Sequence, residues 1–359
     1  MSPGAACAFR AVPQKGSIYN NDMMGFGGMA ESLRRIREGD IWAPGGRAWL
    51  GGLLICLSLS ACSFDYSESL RVGTNLWVGY EPLYLARSIG ALPDSSVRLV
   101  ELPATTDVIH ALRSHTLEAA ALTLDEVLSQ LADGVDLRVV LVMDYSDGGD
   151  VLIGHDTASR LEELRGRRIG YENSAVGALM LDAALEAGHL TPGDVTLVPL
   201  TPDQHVAAFL SGRVDAVVTF EPARTQLLEH GAAVLFDSSR IPGRIIDVLA
   251  VRGDVADTQA KQVKTLLDGW FRALAYMQEE RSSAVSQMST RHQITPEIFA
   301  GSLSGLRFVG LEENRQLLAA LEPGLQQRAD ALASLMVQRG LLTDVPVLNG
   351  VFDPRSLPE

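Results

Sequence analysis

The strongest constraint on the fold is an internal repeat with a spacing of 97 residues. Residues 71–73 (Arg-Val-Gly) recur at 168–170 (Arg-Ile-Gly), and residues 117–120 (Leu-Glu-Ala-Ala) recur at 214–217 (Val-Asp-Ala-Val). Other matches between these points keep the same spacing to within one residue. A spacing maintained over so many positions predicts two copies of one supersecondary unit.

Both copies show the same order of elements. A short apolar strand leads into a polar turn that contains glycine, then a helix that ends near Gly90 or Gly188, a second strand, a second helix and a third strand. The later strands are predicted at 97–102 and 119–123 in the first copy, and at 195–200 and 216–220 in the second. Because strands that alternate with helices form parallel sheets covered by those helices, we predict two α/β lobes with parallel sheets.

Two further apolar strands, at 137–143 and 245–251, are predicted to connect the lobes. The mostly helical residues 257–359 follow without a Pro/Gly linker, so we expect them to complete the first lobe. Hinge movement is predicted at Gly148, Gly149 and Ile246, since glycine frees the backbone. The predicted domains are an extension with a signal peptide at 1–61, lobe 1 at 62–147 and 247–359, and lobe 2 at 148–246.

The N-terminal segment has the pattern of an export signal. The apolar run 48–59 follows Arg47 and is too short to span a bilayer, which needs about 20 apolar residues. It ends in Leu-Ser-Ala-Cys at 59–62, which resembles a bacterial lipoprotein signal with cleavage before Cys62 and lipid on its thiol. This pattern predicts a periplasmic or cell-surface protein anchored to a membrane by lipid. The alternative is a buried N-terminal helix with a chance cysteine. A separate hypothesis is that translation starts at Met29, which would begin a more typical signal.

Charge and cysteine content exclude several classes of protein. The chain has 30 Lys and Arg against 44 Asp and Glu, a net charge of −14, which argues against nucleic-acid binding. Three cysteines cannot form a disulfide framework, and only Cys62 follows the predicted cleavage site. The histidines show no H-E-x-x-H spacing, and no G-x-S-x-G occurs. We therefore expect neither a metal nor a cofactor.

Four segments resemble ABC-importer substrate-binding proteins, of the nitrate/sulfonate/taurine type and the related thiamine-pyrimidine type. The segments are 71–86 (RVGTNLWVGYEPLYLA), 125–126 (DE), 164–170 (LRGRRIG) and 220–222 (FEP). The resemblance implies a type 2 periplasmic-binding fold, in which two hinge crossings join two lobes and a small molecule binds in the cleft. It also implies a permease and an ATPase as partners, and a monomer.

Two turns are the predicted centre of the site, since ligands of open α/β sheets lie beyond the carboxyl ends of strands, at helix N-termini. The duplicated turns are 75–80 and 172–177, and they face each other if the lobes are arranged as in the family. Trp77 is predicted to stack on the ligand, with packing against the following helix as the alternative. Plain tight turns are the alternative for the glycines. The predicted ligand-binding residues are Asn75, Trp77, Gly79, Tyr80, Thr123, Asp144, Asn173, Ser174, Gly177, Glu221 and Asp247.

The charge of the ligand is left open, with a preference for a nitrogenous one over a sulfonate. Buried carboxylates near the cleft need a positive or hydrogen-bond-donating partner, and an aromatic face beside them suits an amine or amidine. Arg244 is the nearby cation, and we expect it to pair with Asp247 or Asp144. An enzyme on the same fold and a ligand sensor for a membrane receptor are the alternative functions. The carboxylates expected at the cleft are Asp125, Asp144, Asp150, Glu172, Glu221 and Asp247.

Overall fold

The structure is a computed structural model that describes residues 69–155, 160–319 and 324–359. The chain divides into the units Met1–Asp65 and Tyr66–Glu359, and all that follows concerns the second. The predicted signal segment and Cys62 lie outside the described residues. Among the described helices, none combines the length and the apolar character needed to cross a membrane.

Eleven strands in the described residues form two sheets. In the first sheet the order is β11-β4-β10-β3-β1-β2, and in the second it is β7-β6-β8-β5-β9. The strands are β1 Leu70–Thr74, β2 Val97–Glu101, β3 Ala119–Thr123, β4 Leu137–Ser146, β5 Val151–His155, β6 Arg168–Tyr171, β7 Thr196–Pro199, β8 Ala216–Thr219, β9 Ala232–Asp237, β10 Ile246–Arg252 and β11 Leu306–Phe308.

The α-helices cover the faces of the sheets and form most of the C-terminal part. In chain order they are α1 Glu81–Ser88, α2 Thr105–Arg113, α3 Leu124–Ala132, α4 Ala175–Ala187, α5 His205–Leu210, α6 Ala223–Glu229, α7 Gly253–Thr258, α8 Ala260–Glu279, α9 Arg281–His292, α10 Pro296–Leu303, α11 Leu311–Leu318 and α12 Leu325–Gln338. Helix α8 packs against α1, and its Trp270 is fully buried in the core of the first sheet.

The structure confirms the duplication. Strands β1, β2 and β3 are parallel neighbours in the first sheet, and β6, β7 and β8 have the same arrangement in the second. One ion pair is repeated as well: the Arg71 backbone N and Nε donate to Glu118 Oε2, and the same atoms of Arg168 donate to Asp215 Oδ2. These pairs tie the first strand of each copy to the residue before its third strand.

Both sheets are mixed, since the strands outside the duplicated unit run antiparallel to their neighbours. In the first sheet, β10 lies antiparallel between β3 and β4, and β11 is antiparallel to β4. In the second, β5 is antiparallel to β8 and β9. The chain passes between the sheets twice, from β4 to β5 and from β9 to β10, as the two predicted connections require. The exact domain boundaries stay a prediction.

Candidate functional site

A small pocket lies where the carboxyl ends of strands from both sheets meet. This inner pocket has a volume of about 30 Å³. On the side of the first sheet it is lined by Asn75, Trp77, Tyr80, Thr105, Thr123, Glu126 and Asp247. On the other side it is lined by Asp150, Glu172, Val176 and Phe220.

The inner pocket brings together five of the predicted ligand-binding residues. They are Asn75, Trp77, Tyr80, Thr123 and Asp247. Ser174 and Gly177 line an adjoining cavity of about 20 Å³, which shares Glu172 and Phe220 with the inner pocket. The duplicated turns therefore do face each other, one from each sheet.

Four other predicted residues lie outside the lining of the inner pocket, and one of them is Gly79, which lies against Trp77 and Asp144. Asp144 is fully buried directly behind it, at the position paired with Asp247 in the β4–β10 ladder. Asn173 accepts a hydrogen bond from the Tyr171 hydroxyl at 3.4 Å. Glu221 lines a wider outer groove of about 410 Å³, where it accepts the Thr225 backbone N–H.

The inner pocket is acidic and contains no basic side chain among its described lining residues. Four carboxyl groups line it, and each of the four residues is at most 7% exposed: Glu126, Asp150, Glu172 and Asp247. The outer groove adds Glu101, Asp203 and Glu221, again without a lysine, arginine or histidine in its lining. Carboxyl groups therefore line both the inner pocket and the outer groove, where Glu101 pairs with Arg291 and Glu221 with Arg224.

Asp144 and Asp247 form a buried carboxyl pair. The Tyr80 hydroxyl donates to Asp247 Oδ1 at 2.6 Å, whereas Asp247 Oδ2 and both Asp144 oxygens have no donor outside the pair among the described residues and hydrogen-bond with each other when one carboxyl is protonated. Burial raises the pKa of Asp144 to about 7, and burial together with the Asp144 charge raises the pKa of Asp247 well above its usual value. Such a pair holds a proton near neutral pH, or a cationic group in its place.

Glu126 and Asp125, at the start of α3, form the other half of the acidic cluster. Glu126 Oε2 accepts the Thr123 backbone N–H at 3.0 Å and the Thr105 hydroxyl at 3.1 Å, and its Oε1 is buried without a donor. Burial and the neighbouring Asp125 raise the pKa of Glu126 to about 8. Burial raises the pKa of Asp125 to about 7 and that of Asp150 to about 6.

Trp77 forms the aromatic wall of the inner pocket. Its ring meets Phe220 edge-to-face, with centroids 5.5 Å apart, and its Nε1 is buried without an acceptor. Two glycines make room for it. A Cβ on Gly79 would lie 2.4 Å from Trp77 Nε1, and one on Gly149 would lie 2.9 Å from its Cη2. Since Trp77 is only 6% exposed, it both packs in the core and lines the pocket.

The helix N-termini around the inner pocket already bind oxygens of this chain. Ser174 Oγ accepts the Gly177 N–H at the start of α4, at 3.2 Å. Glu172 Oε1 accepts the Thr106 N–H at the start of α2, at 3.3 Å, and the two residues lie on opposite sides of the pocket. Burial raises the pKa of Glu172, and the bonds to the Thr106 and Thr105 backbone oppose that rise.

The two crossings between the sheets are joined by one serine. Ser238 Oγ lies 2.8 Å from Ser146 Oγ and accepts the Gly148 N–H at 2.7 Å. Gly148 has φ +104°, a conformation that favours glycine. Ile246 pairs with Tyr145 in the β4–β10 ladder. The predicted hinge residues thus lie at the crossings.

Arg244 was expected to pair with Asp247 or Asp144, and the structure places its charge elsewhere. It acts on Asp182 and Glu186 in α4: burial raises the pKa of Asp182 and the Arg244 charge opposes that rise, whereas the hydrogen bond from Arg339 lowers the pKa of Glu186 and the Arg244 charge adds to that lowering. Asp247 lines the inner pocket and Asp144 is buried behind it, and neither has a basic side chain paired with it among the described residues.

Sequence reasoning missed four lining residues, and one of them is Glu126, which belongs to the Asp-Glu segment at 125–126. Thr105 begins the second helix of the first copy, a position that gives no signal in the sequence by itself. Val176 lies in the second duplicated turn, and Phe220 belongs to the Phe-Glu-Pro motif, so the sequence pattern could have identified both. Asp150 and Glu172 were expected among the cleft carboxylates and do line the pocket.

Residues 65–290 match the NMT1-like family. The chain belongs to this family. It is 26% identical over 216 residues to the taurine-binding periplasmic protein of Escherichia coli K12, an alignment that covers 57% of this chain and 67% of the relative. It is 24% identical over 289 residues to a putative aliphatic sulfonates-binding protein of the same organism, which covers 78% of this chain and 88% of the relative.

Solved structures of this family's fold are similar to the whole described unit. The alkanesulfonate-binding protein SsuA from Xanthomonas axonopodis pv. citri, bound to MOPS, has a TM-score of 0.68 at 18% identity, over 80% of this chain and 98% of that one. The desulfurization enzyme DSZB has a TM-score of 0.58 at 17% identity, over 80% and 97%. The fold is therefore that of the periplasmic binding proteins, and at this identity the likeness shows the fold alone.

Proposed function

We propose that this protein binds a small organic cation in the inner pocket and delivers it to an ABC importer. The importer role is supported by the relatives, which are named a taurine-binding periplasmic protein and a putative aliphatic sulfonates-binding protein. The cation is supported by one observation: four buried carboxyl groups and three aromatic rings line the inner pocket, with no basic side chain among its described lining residues.

The argument for a cation is electrostatic. A buried carboxylate without a partner is costly, and here Glu126, Asp144 and Asp247 each keep at least one oxygen without a donor. An ammonium or amidinium group supplies both the charge and the N–H donors that these oxygens lack. The face of Trp77 adds a cation–π contact beside them. A sulfonate would instead place a further negative charge among them.

The volume of the inner pocket implies movement on binding. About 30 Å³ holds one water molecule and no organic ligand. We therefore infer that the two sides part to admit the ligand and close on it, with the crossings at Gly148 and Ser238 as the hinge. Phe220 lines both the inner pocket and the outer groove, which gives the ligand a path between them.

Export and membrane attachment complete the proposal. The signal pattern before Cys62 supports export and a lipid anchor, with a permease and an ATPase as partners of a monomer. A ligand sensor for a membrane receptor would use the same site with a different partner. An enzyme is the weaker alternative: DSZB shares the fold, but the sequence carries none of the nucleophile or metal motifs sought above.

A sulfonate is the second candidate ligand, favoured by the names of the relatives. Thermal melting separates the two candidates. The purified full chain, kept in mild detergent, is melted with alkylamines and alkanesulfonates of equal chain length, and with taurine and nitrate. A ligand at 100 times its Kd stabilises the protein by about 2.7 kcal/mol. We expect the melting temperature to rise with the amines. A rise with the alkanesulfonates alone would contradict the proposal.

A further inference from the structure

Helix α2 begins without a capping side chain of its own. Its N-cap residue is Ala104, which has extended backbone and no side-chain acceptor. The first backbone N–H groups of a helix have no partner within the helix, and the helix dipole makes this end positive. An anion binds readily at such an end. Since Thr105 lines the inner pocket, the end of α2 opens onto the ligand site.

Glu172 supplies the missing acceptor from the opposite side of the pocket. Its side chain extends from the end of β6, in the second sheet, and accepts the Thr106 N–H at 3.3 Å. The residue is 6% exposed, so the bond lies away from water. This carboxylate is specific to the second copy of the duplicated unit, because Asn75 holds the position of Glu172 in the first copy.

We propose that Glu172 determines specificity by occupying the helix end that an anionic ligand would use. This inference rests on the proposed function and names the residue that excludes sulfonates. An anion at the end of α2 would have to displace the Glu172 carboxylate or lie beside it. Either arrangement leaves a buried negative charge without a partner. Ser174 accepts within its own turn, and Glu126 accepts the Thr123 N–H of its own turn and the Thr105 hydroxyl on the same side of the pocket, whereas Glu172 reaches across the pocket.

Removal of the Glu172 carboxylate from the N-terminus of α2 tests the inference. Glu172→Ala removes the carboxylate and frees the Thr106 N–H, so we expect methanesulfonate to bind the purified full chain at least ~10-fold more tightly than it binds the wild type. Isothermal titration calorimetry measures both. Glu172→Gln keeps the size and loses the charge, and a gain of at least ~3-fold is expected there. Asp150→Asn is the matched control, since it removes one charge from the same pocket and leaves Glu172 in place.

Two results would overturn the inference. One is a folded Glu172→Ala protein that binds methanesulfonate no better than the wild type does; if that variant does not fold, the same result with Glu172→Gln decides. The other is an equal gain in Asp150→Asn, which would make pocket charge alone responsible. Titration of the wild type with an alkylamine reports the proposed function separately. A gain in Glu172→Ala without amine binding by the wild type would keep the inference and refute the proposed function.

Discussion

At the scale of single residues, the site consists of carboxyl groups that are buried away from water, with no basic side chain among the described lining residues. Asp144 and Asp247 face each other across the β4–β10 ladder, and Tyr80 is the one described side chain that donates to the pair. Burial is the largest cause of both raised pKa values; the Asp144 charge adds to it for Asp247, and the Asp150 charge adds to it for Asp144. A ligand that brings positive charge relieves both costs at once.

Asp247→Asn should weaken the binding of the amine by roughly 10-fold or more, because Asp247 lines the inner pocket and a hydrogen bond to a charged group contributes about 1.5–3 kcal/mol. Calorimetric titration at pH 8 measures the loss. Glu221→Gln is the matched control: Glu221 lines the outer groove and already accepts the Thr225 N–H, so its loss should change affinity little. A loss in Glu221→Gln alone would place the ligand in the outer groove, and equal losses in the two variants would contradict a specific role for the inner carboxyl.

Substitution of Trp77 tests the contribution of the aromatic wall to ligand binding. Trp77→Leu should lower the affinity for the amine by ~1–2 kcal/mol, the contribution of a cation–π or stacking contact. Trp270→Leu makes the same change in the core of the first lobe, away from the pocket lining, and should lower the melting temperature with unchanged affinity. If Trp77→Leu also binds as the wild type does, the indole serves packing alone.

At the scale of elements, the sequence predicts the duplicated unit well because each part is local. The repeat pattern locates both sets of parallel strands to within two residues at each end. It also predicts the two faces of the cleft, since Asn75 and Glu172 occupy equivalent places after β1 and β6. One difference escapes it: after the first helix the left-handed residue is Gly90, and after its duplicate it is His189.

The contacts that make the site could not be predicted in the same way. The Glu172 bond to Thr106 and the Trp77 contact with Phe220 join residues of different sheets. They depend on how the two copies approach each other, and no spacing in the sequence encodes that approach. Glu221 is a further example: the sequence shows its Phe-Glu-Pro motif, but it does not predict that Glu221 lines the outer groove.

A prediction at the scale of elements concerns the Ser238 contacts that join the two crossings. Ser238→Ala removes the hydroxyl that accepts the Gly148 N–H and contacts Ser146, so it should lower the free energy of unfolding by ~1–3 kcal/mol. Chemical denaturation measures the change. Ser239→Ala is the neighbouring control at an exposed position, expected to stay within ~0.5 kcal/mol of the wild type. A loss in Ser239→Ala as large as in Ser238→Ala would contradict this role for the link.

At the scale of the whole molecule, a cleft rich in protonated carboxyls makes stability and binding depend on pH in opposite directions. The folded pKa values of Asp150, Asp144 and Glu126 are about 6, 7 and 8, above the value near 4 of an unfolded carboxyl. Their contribution to the stability of the unliganded protein is therefore complete below pH ~4 and lost as pH rises through 6 to 8. Over the same pH range, ionisation of these carboxyls gives the site the negative charge that attracts a cation.

The pH dependence is measured against a variant that lacks one of these carboxyls. Between pH 5 and pH 8.5, the melting temperature of the unliganded wild type should fall relative to that of Asp144→Asn, because the amide introduced by this substitution has no proton to lose. The affinity of the wild type for an amine should rise over the same interval. A melting-temperature difference between the two proteins that stays constant with pH would show that Asp144 is ionised throughout.

Proton release on binding tests the central claim most directly. An amine that enters the inner pocket must replace the proton held by the buried carboxyls. Calorimetric titration at pH 7, repeated in buffers of different ionisation enthalpy, measures the number of protons released. For the alkylamine with the largest thermal shift, we expect release of up to about one proton per ligand, and no binding of the alkanesulfonate of equal length. Tight binding of that sulfonate with proton uptake would contradict the cation account.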